Sequence, residues 1–480
     1  MSFGQERWSP ARLGELGEKA GLLAEQEEES RLPYETDFGR LVRGVPAAVS
    51  RPRDVAELER LVGFAYQHGL KLTLRGQGFS QGGQSVAAGS LAVDLRSLAG
   101  VDPPDVDTQS IECEAGATFR QVVERSATRG LVPLVLPNNL DLTVGGVLAV
   151  GGIGASSYRH GLVVSTVLEM EALTGQGQRH RVSPLQNPEL FYALLAGAGR
   201  CGVMVRAKLK LRPFAPRLRT FYLLYENVEP WLEDQRRLAE GKPDAPPPCA
   251  LEAFTTSAAM GLRNRGEHRQ PFGVWFYGLQ VSWEHAPGAA PAWEGCLRGL
   301  RPHRLVHSED LETPAFWRRY EPRFQAMRTS GAWALPHPWV EAFLPLAKVG
   351  ELLPPLLDEL PLALGDGHRL MLIADENLPP GIALPAERPL AAFALLPAGV
   401  PPPLLNELLV ALRHAHQRLV AAGGKRYLSG WLGMMTEESW REHFGPLYPA
   451  WRAAKTRFDP RGVFSSSLFP ATDNPGGSTP

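Results

Sequence analysis

Cysteine is scarce and scattered in this chain. The four present, Cys113, Cys201, Cys249 and Cys296, lie far apart and form no CxxC pair. That spacing argues against a zinc site of paired cysteines and against a disulfide framework, and it fits a reducing compartment. An excess of either charge is also lacking. Lys plus Arg number 50 against 51 for Asp plus Glu, a formal net charge of -1. No global field therefore draws nucleic acid or an anionic membrane. No apolar run reaches bilayer-spanning length. The opening "MSFGQERWSPARLGELGEKAGLLAEQEEES" has no signal-peptide core, and no repeat of solenoid period is found. The expectation is a soluble, cytoplasmic protein with no nucleic-acid or membrane partner.

What the chain does have is length and glycine. Its 480 residues exceed one small core, so two domains are the natural expectation. The composition, 44% hydrophobic and 21% charged, is that of a globular protein. Prolines gather late, in "DAPPPCA", "ELPLAL" and "AGVPPPLL", and read as rigid connections too short to be disordered linkers.

The densest glycine stretch is "TLRGQGFSQGGQS" at 73–85. Upstream, Asp54 reads as a helix N-cap, with Glu57 placed for a capping box. Val55, Leu58, Leu61, Val62 and Ala65 share one helical face, and Gly69 follows as its stop. "LKLTL" then reads as a strand, and "SLAVDLRSL" beyond the loop as the next. A nicotinamide fingerprint needs GxGxxG opening a helix. Here Gly82 comes one position late and a strand follows, which argues against that reading. Two readings of the loop remain: a nest of backbone N–H groups around a pyrophosphate, helped by Ser80 and Gln84 side chains, or a glycine-rich hairpin.

A second glycine run lies in "LPNNLDLTVGGVLAVGGIGASSYRHG" at 136–161. Before it, Thr118 caps a helix carrying Phe119, Val122 and Val123. After it come a strand, "STVLEMEALTGQG", and a helix, glycine turn and strand in "NPELFYALLAGAGRCGVMVRAKLKLRP". Two separated glycine loops in one alternating region suggest a single extended dinucleotide.

The ordered set "RGQGFSQGGQ", "LTVGG", "YRHG", "VLEMEALTG" and "ELFYALLAGAGRCGV" resembles the FAD-binding (PCMH-type) domain of the vanillyl-alcohol oxidase superfamily. Within it, the chain is most similar to cytokinin dehydrogenase. "PHPWVEAFLP" at 336–345 and the stretch 425–464 extend the resemblance over roughly 45–470. The resemblance implies an α+β fold. An FAD-binding domain at 1–213 returns at 425–480, and a substrate domain on an antiparallel sheet with helices occupies 214–424. It assigns FAD contacts to Arg75, Gly76, Gln77, Gly78, Phe79, Ser80, Gln84, Thr143, Gly145, Gly146, Val203, Met204, Tyr427 and Ser466. It puts Asn138, Asn139, Asp141 and Trp339 around the substrate.

Three positions depart from the family pattern. Phe79 stands where a histidine commonly carries a covalent flavin, so FAD is expected to bind non-covalently. The phenyl ring is either a packing face for the flavin or part of the core. Asn138 stands where the resemblance places a catalytic aspartate, and an amide does not ionise near neutral pH. Asp141 is the nearest carboxylate, either a base or a turn residue. Ser466, Ser467 and Leu468 replace a proline-glycine-glutamine run. The leading expectation is an FAD-dependent oxidase or dehydrogenase acting on a C–N or C–O bond of a mostly apolar small molecule. Oxygen or a quinone-like molecule would be its acceptor, and secondary-metabolite tailoring its setting. The alternatives are a true cytokinin dehydrogenase and a non-redox cyclase or isomerase on the same fold.

Overall fold

The computed structural model describes residues 7–469, apart from 242–246, 266–267, 363–367 and 434. Parts of the first two proline clusters, 244–246 and 363–364, lie outside the described residues. So do the outer ends of the two FAD-domain segments.

The fold is α+β, and its described residues form three sheets. The first is small and parallel, with β1 (Ala48–Ser50), β2 (Leu72–Arg75) and β3 (Leu91–Asp94) in the order β1-β3-β2. Helix Val55–His68 joins β1 to β2 and buries Leu58, Leu61, Val62 and Ala65. Asp54 caps it, accepting from the Glu57 N–H at 2.8 Å. The reciprocal half of the expected capping box does not form, because Glu57 turns to the Arg53 N–H and guanidinium instead. Since β2 and β3 pair in parallel, Leu72 opposite Leu91, the glycine loop between them is no hairpin. It is a crossover that returns along the sheet without a helix.

The second sheet is antiparallel: β4 (Ser110–Glu114), β5 (Leu131–Pro133), β6 (Val167–Thr174), β7 (Arg179–Val182) and β8 (Gly202–Pro213), ordered β4-β8-β6-β7 with β5 also on β8. The third holds β9 (Arg217–Tyr225), β10 (Ala250–Arg265), β11 (His268–His285), β12 (Arg304–Glu312), β13 (Val340–Pro345), β14 (Arg369–Ile373), β15 (Leu390–Leu395) and β16 (Lys425–Arg426). All its pairings are antiparallel, in the order β12-β9-β11-β10-β14-β15-β13-β16. Helices Val228–Glu240, Leu346–Glu359 and Pro402–Ala421 cover it; Trp231, Leu353 and Leu412 share a core with Leu279 and Phe393.

Two features bring the sheets together. A single core joins Met204 and Leu209 of β8 to Phe343, Met371 and Ala392 of the third sheet. The end of the chain returns to the first sheet, where Phe464 bridges Leu72 in parallel. β16, the first two residues of the expected returning segment, still pairs with β13.

Candidate cofactor and substrate cavity

A cavity of about 360 Å³ lies between the glycine loops, β8 and the face of the third sheet. Every position singled out from the sequence lines it except Asp141. The two glycine runs meet there. A Cβ on Gly76 would stand 2.2 Å from Thr143 Oγ1, so only glycine lets the loops touch. Thr143 caps the helix Val144–Leu148, accepting from the Gly146 N–H at 3.3 Å.

Several polar groups expected to face a cofactor are engaged within the protein. The Ser80 hydroxyl donates to Asp37 at 3.0 Å, and the Gly83 N–H donates to the same carboxylate at 2.7 Å. Burial raises the Asp37 carboxyl to about 6, against these hydrogen bonds and the Arg75 charge. The Gln84 amide donates to the carbonyls of Leu428, Ser429 and Gly430 and accepts from the Gly82 N–H. It therefore clips the loop to the returning segment rather than offering donors outward. Arg75 donates to the Thr36 and Pro33 carbonyls. Tyr427 Oη accepts from the Gly152 N–H at 2.7 Å. The Ser466 hydroxyl is buried and has no partner. Phe79 packs in an aromatic group, 5.5 Å from Phe38 and 5.7 Å from Trp333, ring centre to ring centre, and also reaches the cavity.

The substrate-side residues fall differently from expectation. Asp141 is drawn off the cavity by Arg120, 2.8 Å away, which also pairs with Glu321. Its N–H donates to Asn139 Oδ1 at 3.0 Å, a local turn. Asn138 is locked at both ends. Its Nδ2 donates to Glu252 at 3.0 Å, and its Oδ1 accepts from Arg319 at 3.2 Å. Glu252 is buried and takes two bonds from Arg319, at 3.0 and 2.7 Å, and one from Tyr320. Burial alone would raise this carboxyl, but Arg319 and Arg369 hold it below the ordinary value. Trp339 spends its indole N–H on the Pro397 carbonyl at 2.9 Å.

Glu341 on β13 also lines the cavity. Its carboxylate accepts from the Ser429 hydroxyl, and burial raises it to about 7. Sequence reading missed Glu252, Glu341 and Arg369. Each is a lone charge in an apolar strand stretch, "ALEAF", "WVEAF" and "HRLMLI", and that was the available signal.

The residues present fit FAD. The apposed glycine runs leave a surface without side chains, the Ser466 hydroxyl lacks a partner, and the remaining walls are largely apolar. A family profile described as "FAD binding domain" matches residues 46–183. A second, "Cytokinin dehydrogenase 1, FAD and cytokinin binding", matches 294–467. Over these two stretches the chain is similar to PCMH-type FAD-binding flavoproteins related to cytokinin dehydrogenases. It is an FAD-dependent enzyme of the oxidoreductase class. Cytokinin dehydrogenase 1 of Oryza sativa subsp. japonica is 29% identical over 352 residues, covering 67% of this chain and 66% of that protein. Cytokinin dehydrogenase 8 of Oryza sativa subsp. indica is 26% identical over 497 residues, covering 92% and 91%. An uncharacterized oxidoreductase, ORF5 in the fasciation locus of Rhodococcoides fascians, is 27% identical over 433 residues, covering 89% and 94%. Among the described residues no group of His, Cys, Asp or Glu could hold a metal ion, and no helix is long and apolar enough to cross a membrane.

Proposed function

We propose that this flavoprotein oxidises a C–N or C–O bond in a mostly apolar small molecule, with FAD held non-covalently. The observation that carries this reading is the single cavity in which both glycine runs, Phe79 and the third sheet's apolar face meet. FAD, when bound, supplies the hydride acceptor. Gly76, Gly78, Thr143, Gly145, Gly146 and Ser466 would hold it. Phe79 has no ring nitrogen to form a covalent link, so the flavin stays exchangeable.

The chain's own part is positioning and proton handling. Asn138 is fixed by Glu252 and Arg319 and orients a substrate polar group without taking its proton. Glu341 is the carboxyl suited to accept that proton, because burial keeps its affinity near neutrality. Oxygen or a quinone-like molecule would be the acceptor of the electrons.

A cytokinin-like substrate is the second reading, favoured by the profile match over 294–467. The two readings separate on one residue. With an isopentenylated adenine as donor, anaerobic bleaching of the wild-type flavin is expected to be slow. Asn138→Asp is expected to speed it at least tenfold, and a fully positioned base would contribute about 10²–10⁴-fold. Fast bleaching of the wild type by that amine would favour the cytokinin reading. Turnover of a substrate with no bleaching and no oxygen uptake would remove redox chemistry altogether.

A further inference from the structure

We propose that Arg369 anchors an anionic group of the substrate, a carboxylate, so that the cavity accepts mostly apolar acids. This inference rests on the reading of the cavity as a substrate site.

Arg369 opens β14 and lines the cavity. Its guanidinium lies over two rings, 5.3 Å from the centre of Phe254 and 5.3 Å from that of Tyr320. Among the described residues none accepts a hydrogen bond from it or forms an ion pair with it. The aromatic faces soften the charge but do not neutralise it. An arginine cannot escape by losing its proton, and a half-buried cation that only shares Glu252 with Arg319, with no ion-pair partner of its own, is costly.

The nearby acids are committed elsewhere. Glu252 is taken by Arg319, Tyr320 and Asn138. Glu341 is held by Ser429, and no guanidinium draws its carboxyl down. The cluster around Glu252 thus contains one carboxylate and two guanidiniums. Arg323 adds a further cation to the cavity wall and donates to the Leu396 carbonyl at 3.4 Å. An aspartate at 138 would balance the Glu252 cluster. Asparagine leaves it one negative charge short, and a substrate carboxylate supplies that charge. The fork of a guanidinium matches a carboxylate with two parallel hydrogen bonds. Phe324, Met327, Phe393 and Leu396 line the same cavity and suit an apolar body attached to that group.

The test measures binding, so it does not depend on turnover. Purified flavin-loaded protein is titrated calorimetrically with phenylalkanoates from phenylacetate to 6-phenylhexanoate, and with the matching primary amides. At least one acid is expected to bind tenfold or more tightly than its own amide. Arg369→Gln should bring that ratio close to one with flavin content unchanged. Arg369→Lys, which keeps the charge, should retain most of the preference. Three outcomes would each overturn the proposal: no acid in the series beating its amide, a preference that survives in Arg369→Gln, or loss of FAD from that variant, which assigns Arg369 to the cofactor. Failure of every amine and alcohol donor to bleach the flavin would refute the redox reading instead, and leave the acid preference standing.

Discussion

At the scale of single residues, the chemistry turns on where carboxylates stand. Asn138 is an amide and offers no base on its side of the cavity, and Glu341 stands at another part of the wall. A base works only when deprotonated, and burial puts the Glu341 carboxyl near 7. Flavin reduction should therefore rise with pH through about 7 and level off above it. Glu341→Gln should abolish that limb and slow reduction by about 10²–10⁴-fold at high pH. Stopped-flow traces across pH check this; an unchanged profile in the variant would remove Glu341 from the chemistry. Phe79 and Asn138 were legible because each sits at a fixed offset within a recognisable motif. The Asn138–Glu252 bond was not, because its partners lie 114 positions apart. Asp141 stayed open between base and turn for the same reason: the spacing to Asn138 was visible, but the capture by Arg120, 21 positions away, was not.

At the scale of elements, the first glycine loop is a rigid crossover rather than a flexible turn. Gly78 sits at φ 72°, and a Cβ there would stand 2.5 Å from the Arg75 guanidinium. Arg75 in turn ties the loop to Thr36 and Pro33. Gly78→Val should displace that arginine and close the approach to a cofactor. The variant is expected to keep its far-ultraviolet circular dichroism and purify largely colourless; full flavin content would remove the loop from the cofactor site. Helix ends were readable where a side chain caps its own helix, as at Asp54 and Thr118. Pairing direction was not, because nothing local distinguishes parallel from antiparallel strands beside a glycine loop. The late cluster "AGVPPPLL" shows the same limit. It reads as a connection, yet its last two prolines open the helix Pro402–Ala421, where a missing N–H costs nothing.

At the scale of the whole molecule, the account depends on the chain's end closing over its beginning. Asp459 is fully buried and collects the Lys455 ammonium at 2.6 Å and the N–H groups of Val463 and Phe464 at 2.7 and 2.9 Å. Gly175 packs against it with no room for a Cβ. Asp459→Ala would strip a buried cation of its counter-ion, leaving it only the Arg200 and Phe464 carbonyls, and would unpair two N–H donors, a loss of about 3–5 kcal/mol. Urea unfolding measures it, and a change below about 1 kcal/mol, the scale of an exposed pair, would contradict this role. The segment so anchored carries Tyr427 and Ser466 to the cavity, so cofactor retention and C-terminal closure are coupled. The central claim is that this cavity holds FAD without a covalent bond. Acid precipitation of the purified protein tests it most directly. The account predicts a yellow supernatant containing stoichiometric FAD and a colourless pellet whose chain has its unmodified mass. A yellow pellet, a flavin adduct on the chain, or a protein that retains no FAD when reconstituted would contradict it.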